Sequence, residues 1–358
     1  MRKTDDIYMS RCLELARCAM QTARPNPMVG AVIVHKGRII GEGFHRKCGE
    51  PHAEVNAINS VKDKNLLKES TIYVSLEPCS HYGKTPPCSE LIIRMGIPEV
   101  VIGTADPFPK VSGRGICQLR NAGIRVKVGV LEEECLALNK FFFHFQKYQT
   151  PYTILKWAQS ADGFIDNDRD VSLSHAFRIS NSLTQTAVHK LRAEVQAILV
   201  GTETARKDNP SLNVRYWYGE NPIRVVLDRK GRLDSNLTLF DNKVKTIVFT
   251  EEYEVLSHRY AERQYIEIIH CNFDTDLIHK ILKELGKRSV QSLLVEGGAQ
   301  TLQAFIDNNL WQEASIETSP ALIGSGVKAP VLKDYLWTGT KLIGYNKIDS
   351  YLYRNNQV

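Results

Sequence analysis

The chain has 358 residues, of which 43% are hydrophobic, 24% charged and 8% aromatic. That composition excludes a disordered, collagenous or disulfide-scaffold protein, and the length suits two domains at roughly 150 residues each. The net charge of +6 is uneven: residues 1–150 carry 21 Lys and Arg against 15 Asp and Glu, whereas residues 151–358 carry 25 of each. A cationic first half suits an anionic substrate or a nucleic acid, and equally a mildly basic solvated surface. No apolar run approaches the ~18 residues of a membrane span. The start, Met1-Arg2-Lys3-Thr4-Asp5-Asp6, lacks the apolar core of a secretory signal. A cytoplasmic location is therefore expected, and in that reducing setting clustered cysteines bind metal rather than pair.

Residues 5–22 read as an amphipathic helix, with Met9, Cys12, Leu13, Ala16, Ala19 and Met20 at helical spacing. Arg24-Pro25-Asn26-Pro27 breaks it. Residues 29–35 and 38–44, joined by Lys36-Gly37, read as a hairpin. Then follow a helix at 53–61, a strand at 71–76, a helix at 86–95 stopped by Gly96, a strand at 99–103, a helix at 113–122, a strand at 124–128 and a helix at 131–145. Polar residues 146–151, ending in Pro151, read as a linker between domains spanning 1–146 and 150–358. Beyond it, strands are expected at 152–157, 197–201, 223–228, 246–250, 265–269 and 292–296, with helices at 182–193, 275–286 and 300–308. Both halves are α/β, the second with a mostly parallel sheet.

The first half concentrates metal-binding residue types. His52-Ala53-Glu54 opens a predicted helix after Pro51. Pro78-Cys79 follows a strand, and Pro87-Cys88 opens the next helix. A lone His-x-Glu carries little weight, but two Pro-Cys pairs after it, each at a strand-to-helix transition, point to one site. A catalytic zinc takes three thiolate or imidazole ligands and keeps a fourth position for water. A helix N-terminus favours the thiolate. Glu54, beside the metal without ligating it, can take a proton from the activated water and pass it to a leaving amine. His-x-Glu with Pro-Cys…Cys is the pattern of zinc nucleobase deaminases. The duller reading is a helix-start histidine, a surface glutamate and two buried cysteines. Cys48 and His81 are rival third ligands, ranked below Cys88 because neither opens a helix. His81 and Lys84 read better as substrate contacts on a loop beside the metal.

The eight residues between Cys79 and Cys88 exceed the Cys-x-x-Cys spacing of other deaminases. They bring a specific resemblance. Arg24–Gly30, Gly49-Glu50-Pro51-His52-Ala53-Glu54, Leu76–His81, Gly83–Cys88, Asp106-Pro107-Phe108-Pro109 and Gly113-Arg114-Gly115 resemble the bifunctional riboflavin-biosynthesis deaminase–reductases. The resemblance implies a cytidine-deaminase-like three-layer fold in this half. It also implies hydrolytic removal of the 2-amino group of a diaminopyrimidinone ribosylamine 5′-phosphate, with Asn26 on the pyrimidine.

Residues 151–358 contain neither G-x-G-x-x-G nor a P-loop. Glu296-Gly297-Gly298 follows a strand and opens a helix, so backbone amides there could hold a phosphate, or merely form a turn. Resemblance carries more: residues 155–163, Leu191-Arg192-Ala193-Glu194, 201–204, 208–215, 224–228 and 295–298 are similar to the reductase half of the same family. It implies a dihydrofolate-reductase-like domain using NADPH. Arg192, Leu212, Arg215 and Glu296 would contact substrate, and Gln159, Arg178, Thr204, Asp208 and Gly298 would line the cofactor. Lys156 and Asp208 are the acid/base candidates, with a buried ion pair as the plainer explanation of either. The chain departs from the family at Asn209, where Asp is usual, and at Ala176, where a small polar residue is common; residues 167–177 match poorly.

The expected cofactors are zinc and NADPH. The expected partners are small phosphoribosylaminopyrimidines, with no nucleic acid and no membrane; a homo-oligomer is compatible with this. The rival reading is a tRNA deaminase with an accessory binding domain, which the basic first half would suit but the cysteine spacing and the lack of a basic tail do not. A structural zinc site is disfavoured because such sites are usually closed by four ligands.

Overall fold

A computed structural model describes residues 4–82, 86–106, 113–168 and 177–355. The chain divides into two compact units, Met1–Tyr148 and Gln149–Val358.

The first unit runs α1 (Thr4–Arg17), β1 (Gly30–His35), β2 (Arg38–Phe44), α2 (Ala53–Ser60), β3 (Ser70–Leu76), α3 (Cys88–Met95), β4 (Glu99–Thr104), α4 (Arg114–Asn121), β5 (Arg125–Val128), α5 (Glu132–Leu138) and α6 (Lys140–Tyr148). Its five strands lie in the order β2-β1-β3-β4-β5. β1 is antiparallel to β2 and β3, while β3, β4 and β5 are parallel. Alternate side chains feed opposite faces, as a pleated strand requires. Ala31 and Ile33 join Ile72, Val74, Val100 and Ile102 under α2, α3 and α4. Val32 and Val34 join Tyr73 and Val101 under α1 and α5. The result is the three-layer, cytidine-deaminase-like arrangement expected. Helix α2 lies close on the sheet because β2 has Gly43 there; a Cβ at Gly43 would come within 2.3 Å of the Ala57 nitrogen.

Two helix boundaries differ from expectation. The first helix ends at Arg17 and gives way to turns. The helix expected at 131–145 is divided at Asn139, whose side chain accepts the Met28 N–H at 2.8 Å and donates to the Met28 carbonyl at 2.9 Å.

The second unit runs β6 (Tyr152–Gln159), β7 (Phe164–Asp166), α7 (Ser182–Glu194), β8 (Ala197–Val200), α8 (Thr202–Asp208), β9 (Ile223–Leu227), β10 (Thr246–Thr250), α9 (Tyr253–Arg259), β11 (Ile266–His270), α10 (Leu277–Lys287), β12 (Ser292–Gly297), α11 (Ala299–Asp307), β13 (Glu313–Thr318), β14 (Val327–Lys328), β15 (Tyr335–Ile343) and β16 (Asn346–Tyr353). Nine strands form one sheet, β11-β10-β9-β8-β12-β6-β13-β16-β15, and β14 pairs with β7 apart from it. From β11 to β13 every pairing is parallel; β16 and β15 complete the sheet antiparallel. Leu199, Val225, Phe249 and Leu293 pack with Ile281 and Leu285 of α10 and with Leu302 and Phe305 of α11. This α/β domain carries the expected dihydrofolate-reductase-like architecture. Parallel sheets present their ligand crevice at the carboxyl ends of the strands. The carboxyl ends of β8 and β12 adjoin, with the Gly201 N–H donating to the Gly297 carbonyl at 3.3 Å.

Candidate active sites

His52 is the N-cap of α2, and Glu54 lies in that helix's first turn. Cys88 is the first residue of α3, with Pro87 as its N-cap. Cys79 is not itself helical; it lies where the free amides of α3 point. The Cys88 N–H donates to Cys79 Sγ at 3.3 Å, and the Ser89 N–H and Oγ donate to the Cys79 carbonyl at 3.2 and 2.9 Å. Unused donors at a helix start thus stabilise a thiolate. His52 Nδ1 is 3.5 Å from Cys79 Sγ and 3.3 Å from Cys88 Sγ.

Among the described residues, His52, Cys79 and Cys88 form a metal-capable group with all three donor atoms within 4.8 Å of one another. Neither Cys48 nor His81 joins them, and both side chains are exposed. Two sulfurs and an imidazole nitrogen converging this closely fit zinc in donor chemistry and in number for an open site. The hydrogen bond with Cys88, and then that with His52, outweigh burial and pull the Cys79 thiol below its ordinary value, while Cys88 is pushed up in complement. Glu54 is 3% exposed. Burial first, then the nearby Cys79, push its carboxyl up to about 7.

Asn26 stands beside this group, held by a residue that carries no motif. Its Nδ2 is 3.0 Å from His45 Nε2, and His45 Nδ1 is 3.2 Å from the Pro51 carbonyl. A carbonyl only accepts, so Nδ1 bears the proton and Nε2 accepts from the Asn26 amide. The His45 ring meets the His52 ring edge-on at 5.4 Å. A second supporting residue is Glu77, buried between the strand end and Cys79. Its carboxylate accepts the N–H groups of Asp106, Gly113, Gly115 and Ile116 at 3.1, 3.0, 2.9 and 3.3 Å. Lys84 lies outside the described residues.

In the second unit, Arg192 of α7 and Glu296 of β12 form a bidentate pair, Nε to Oε1 at 2.8 Å and Nη2 to Oε2 at 2.6 Å. Their side chains are only 12% and 9% exposed. Burial works against the Glu296 charge, but Arg192 outweighs it and holds the carboxyl below its usual range. Arg192 Nη1 also donates to the Asn213 carbonyl at 3.2 Å, so its guanidinium is engaged by protein on three sides. Arg215 is more available: it is exposed, with Nη1 2.8 Å from both Ser211 Oγ and Asn213 Oδ1. Leu212 is buried in the same turn. Lys156 of β6 sits 3.9 Å from the buried Glu317 of β13, and its charge also reaches Glu296. Glu317 further accepts from Ser180 Oγ at 2.7 Å and Asn346 Nδ2 at 2.5 Å.

Thr204 and Asp208 lie one turn apart on one face of α8. Thr204 faces the start of α11, where Gly298 has φ +75° and a Cβ would come within 3.4 Å of Thr204 Oγ1. Only glycine takes that backbone freely. Gln159, at the end of β6, accepts from Trp157 Nε1 at 2.8 Å. Arg178 is exposed on the segment before α7. Asn209 caps α8 with φ 40°, a left-handed conformation that Asn tolerates, and its Oδ1 accepts the Thr238 N–H at 2.7 Å.

Residues 2–104 match the cytidine and deoxycytidylate deaminase zinc-binding region, and residues 151–344 match the RibD C-terminal domain. The chain is 40% identical to the riboflavin biosynthesis protein RibD of Aquifex aeolicus (strain VF5), over 91% of this chain and 90% of that one. It is 34% identical to the RibD protein of Escherichia coli (strain K12), over 90% of each. The chain belongs to the RibD family. A solved structure from Thermotoga maritima, a diaminohydroxyphosphoribosylaminopyrimidine deaminase/5-amino-6-(5-phosphoribosylamino)uracil reductase, superposes with a TM-score of 0.86 at 37% identity, covering 98% of this chain and 99% of that one. In this RibD-family chain the His45 and Glu77 contacts could not be anticipated. His45 follows β2 with no spacing pattern, and Glu77 lies inside a recognised string without an assigned task.

Metal content tests the ligand set. Purified protein is expected to carry about one zinc per chain and Cys88→Ala to lose most of it, since two remaining ligands hold catalytic zinc poorly. Full retention, read by metal analysis, would move the third ligand elsewhere.

Proposed function

We propose that this RibD-family chain performs two successive steps of riboflavin biosynthesis. The first is zinc-dependent hydrolytic deamination of 2,5-diamino-6-(5-phosphoribosylamino)pyrimidin-4(3H)-one. The second is NADPH-dependent reduction of the ribosyl group of 5-amino-6-(5-phosphoribosylamino)uracil to ribityl. The observation that carries the first step is the convergence of His52, Cys79 and Cys88 beside a buried Glu54. Residues 1–146 are the deaminase and residues 150–358 the reductase. The setting is the cytoplasm, where Cys79 and Cys88 stay reduced and able to ligate.

In the deaminase, His52, Cys79 and Cys88 would hold zinc. When bound, zinc acts as a Lewis acid and lowers the pKa of water at its open position. Glu54 takes a proton at its carboxylate and delivers it to the amine that leaves, so water adds at C2, the C2–N bond breaks and ammonia departs. The carboxyl is 3% exposed in the first turn of α2, next to the ligand group it would serve. Asn26, its amide oriented by His45, hydrogen-bonds the pyrimidine.

In the reductase, NADPH when bound would supply hydride to the sugar C1′, either after the ring opens to an imine or with the bond from C1′ to the ring oxygen breaking as hydride arrives. Thr204, Asp208 and Gly298 line the cofactor side, with Gln159 and Arg178 as its further contacts. Lys156 and Asp208 handle the proton near C1′. Arg215 grips the 5′-phosphate through its planar fork, and the Arg192–Glu296 pair shapes the site with Leu212. The two groups are expected to fail differently in steady-state kinetics. Arg215→Ala raises KM with kcat little changed, because phosphate binding is shared by ground and transition states; Asp208→Ala lowers kcat. Equal effects on both parameters in both variants would contradict these roles.

Ammonia release separates this reading from a tRNA deaminase. The diaminopyrimidine ribotide is expected to yield ammonia and tRNA to yield none; the reverse result overturns the proposal.

A further inference from the structure

The reductase half holds a buried histidine that no step above uses. His189 lies on α7 one turn before Arg192 and is 3% exposed. Its Nδ1 is 3.0 Å from the Arg215 backbone nitrogen. A backbone N–H only donates, so Nδ1 carries the lone pair and the ring proton sits on Nε2. An imidazolium there would set one N–H against another. Burial, then the charges of Arg192 and Arg215, push this imidazole down to about 4, so it is neutral near pH 7.

The turn it grips needs holding. Leu212 has φ 46°, an unfavourable backbone for a bulky side chain, and is buried. Such a conformation persists only where its surroundings over-determine it. Arg224 Nε donates to the Ser211 carbonyl at 3.0 Å, Arg192 Nη1 to the Asn213 carbonyl at 3.2 Å, and the Val214 N–H to Asn221 Oδ1 at 2.8 Å. His189 takes the next amide, that of Arg215. Its ring then packs edge-on against Tyr216, with centroids 4.8 Å apart, and the Arg215 guanidinium lies 5.0 Å over the same Tyr216 ring.

We propose that His189 is a positioning residue of the reductase, which as the neutral Nε2–H imidazole fixes the Arg215 amide and thereby aims the Arg215 guanidinium at the substrate's phosphate. The proposal rests on the reductase reading and deepens it. His189 touches no reacting atom; it acts through Arg215.

The test uses the intact protein, 5-amino-6-(5-phosphoribosylamino)uracil and NADPH, with the wild type, His189→Gln and His189→Asn. Backbone amide exchange of the 211–216 peptide is followed in parallel. The Asn Oδ1 takes the place of Nδ1 and accepts the same N–H, whereas Gln offers its oxygen at the Nε2 position. His189→Gln is expected to raise KM about tenfold with kcat within about threefold, and to speed exchange of that peptide. His189→Asn is expected to keep KM within about threefold and to keep the protection. A His189→Gln variant with wild-type KM and exchange, or a His189→Asn variant as impaired as His189→Gln, overturns the proposal. If His189→Gln does not fold, exchange in His189→Asn decides alone: retained protection supports the role and lost protection refutes it. Failure of the reductase reading looks different, because the wild type itself then oxidises no NADPH.

Discussion

Glu54→Gln is expected to abolish deamination while leaving zinc content and reduction intact. The amide preserves the shape of a side chain that is 3% exposed at the first turn of α2, so the metal-capable group of His52, Cys79 and Cys88 keeps its place. What it removes is the carboxylate proposed to accept and return protons. General acid–base groups contribute about 10²–10⁴-fold, and in the proposed mechanism Glu54 acts in more than one transfer, so the loss should lie toward the upper end. Ammonia release from the diaminopyrimidine ribotide measures it. Activity within a few-fold of wild type would mean that another base does the work. Reduction of the already deaminated ribotide serves as the internal control, since that chemistry is proposed for the second unit.

The buried Arg192–Glu296 pair carries the second large effect, on stability. Both side chains are nearly excluded from water, and both guanidinium–carboxylate bonds are short, at 2.8 and 2.6 Å. Glu296→Leu leaves a buried guanidinium without its counter-charge, which typically costs about 3–5 kcal/mol. For a unit of this size that lowers the unfolding temperature by about 10 °C. The double variant Arg192→Leu/Glu296→Leu removes both charges and is expected to be less damaged than the sum of the single variants. Calorimetry of the four proteins gives the coupling. Additive losses would show that the pair is solvated and contributes little.

The order of elements in the first unit was legible because its sheet is fed from both faces, so each strand is a short apolar run between turn residues. The metal-capable group was legible because catalytic zinc demands few residue types, and two of the three, His52 and Cys88, stand at helix starts. The polar supports of the site were not. His45, Glu77 and His189 act through hydrogen bonds to backbone or amide groups distant in the chain, and no spacing rule reports such contacts. In the second unit the missed elements are those with little buried apolar surface. Helix α8 buries only Ala205, and most of β15 is exposed, so neither shows a hydrophobic period. Strand β13 hides a charged residue, Glu317, at a core position because Lys156, Ser180 and Asn346 satisfy it. The division of the helix expected at 131–145 turns on the Asn139 side chain, which bonds the Met28 backbone more than a hundred residues away. Arg192 was expected, with Arg215, among the substrate contacts. The structure shows its guanidinium engaged by Glu296 and Asn213, whereas Arg215 is exposed, and this is why the phosphate grip is proposed for Arg215.

The central claim is that one chain carries both activities, and mass spectrometry of the product tests it most directly. The intact protein is given the diaminopyrimidine ribotide with and without NADPH. Without NADPH, the product should be about 1 Da heavier than substrate, as an amino group is exchanged for oxygen. With NADPH, a further ~2 Da should appear as hydride and proton are added at the sugar. An unchanged substrate mass in both arms would contradict the account, and a deaminated product that gains no further mass with NADPH would remove the reductase half of it.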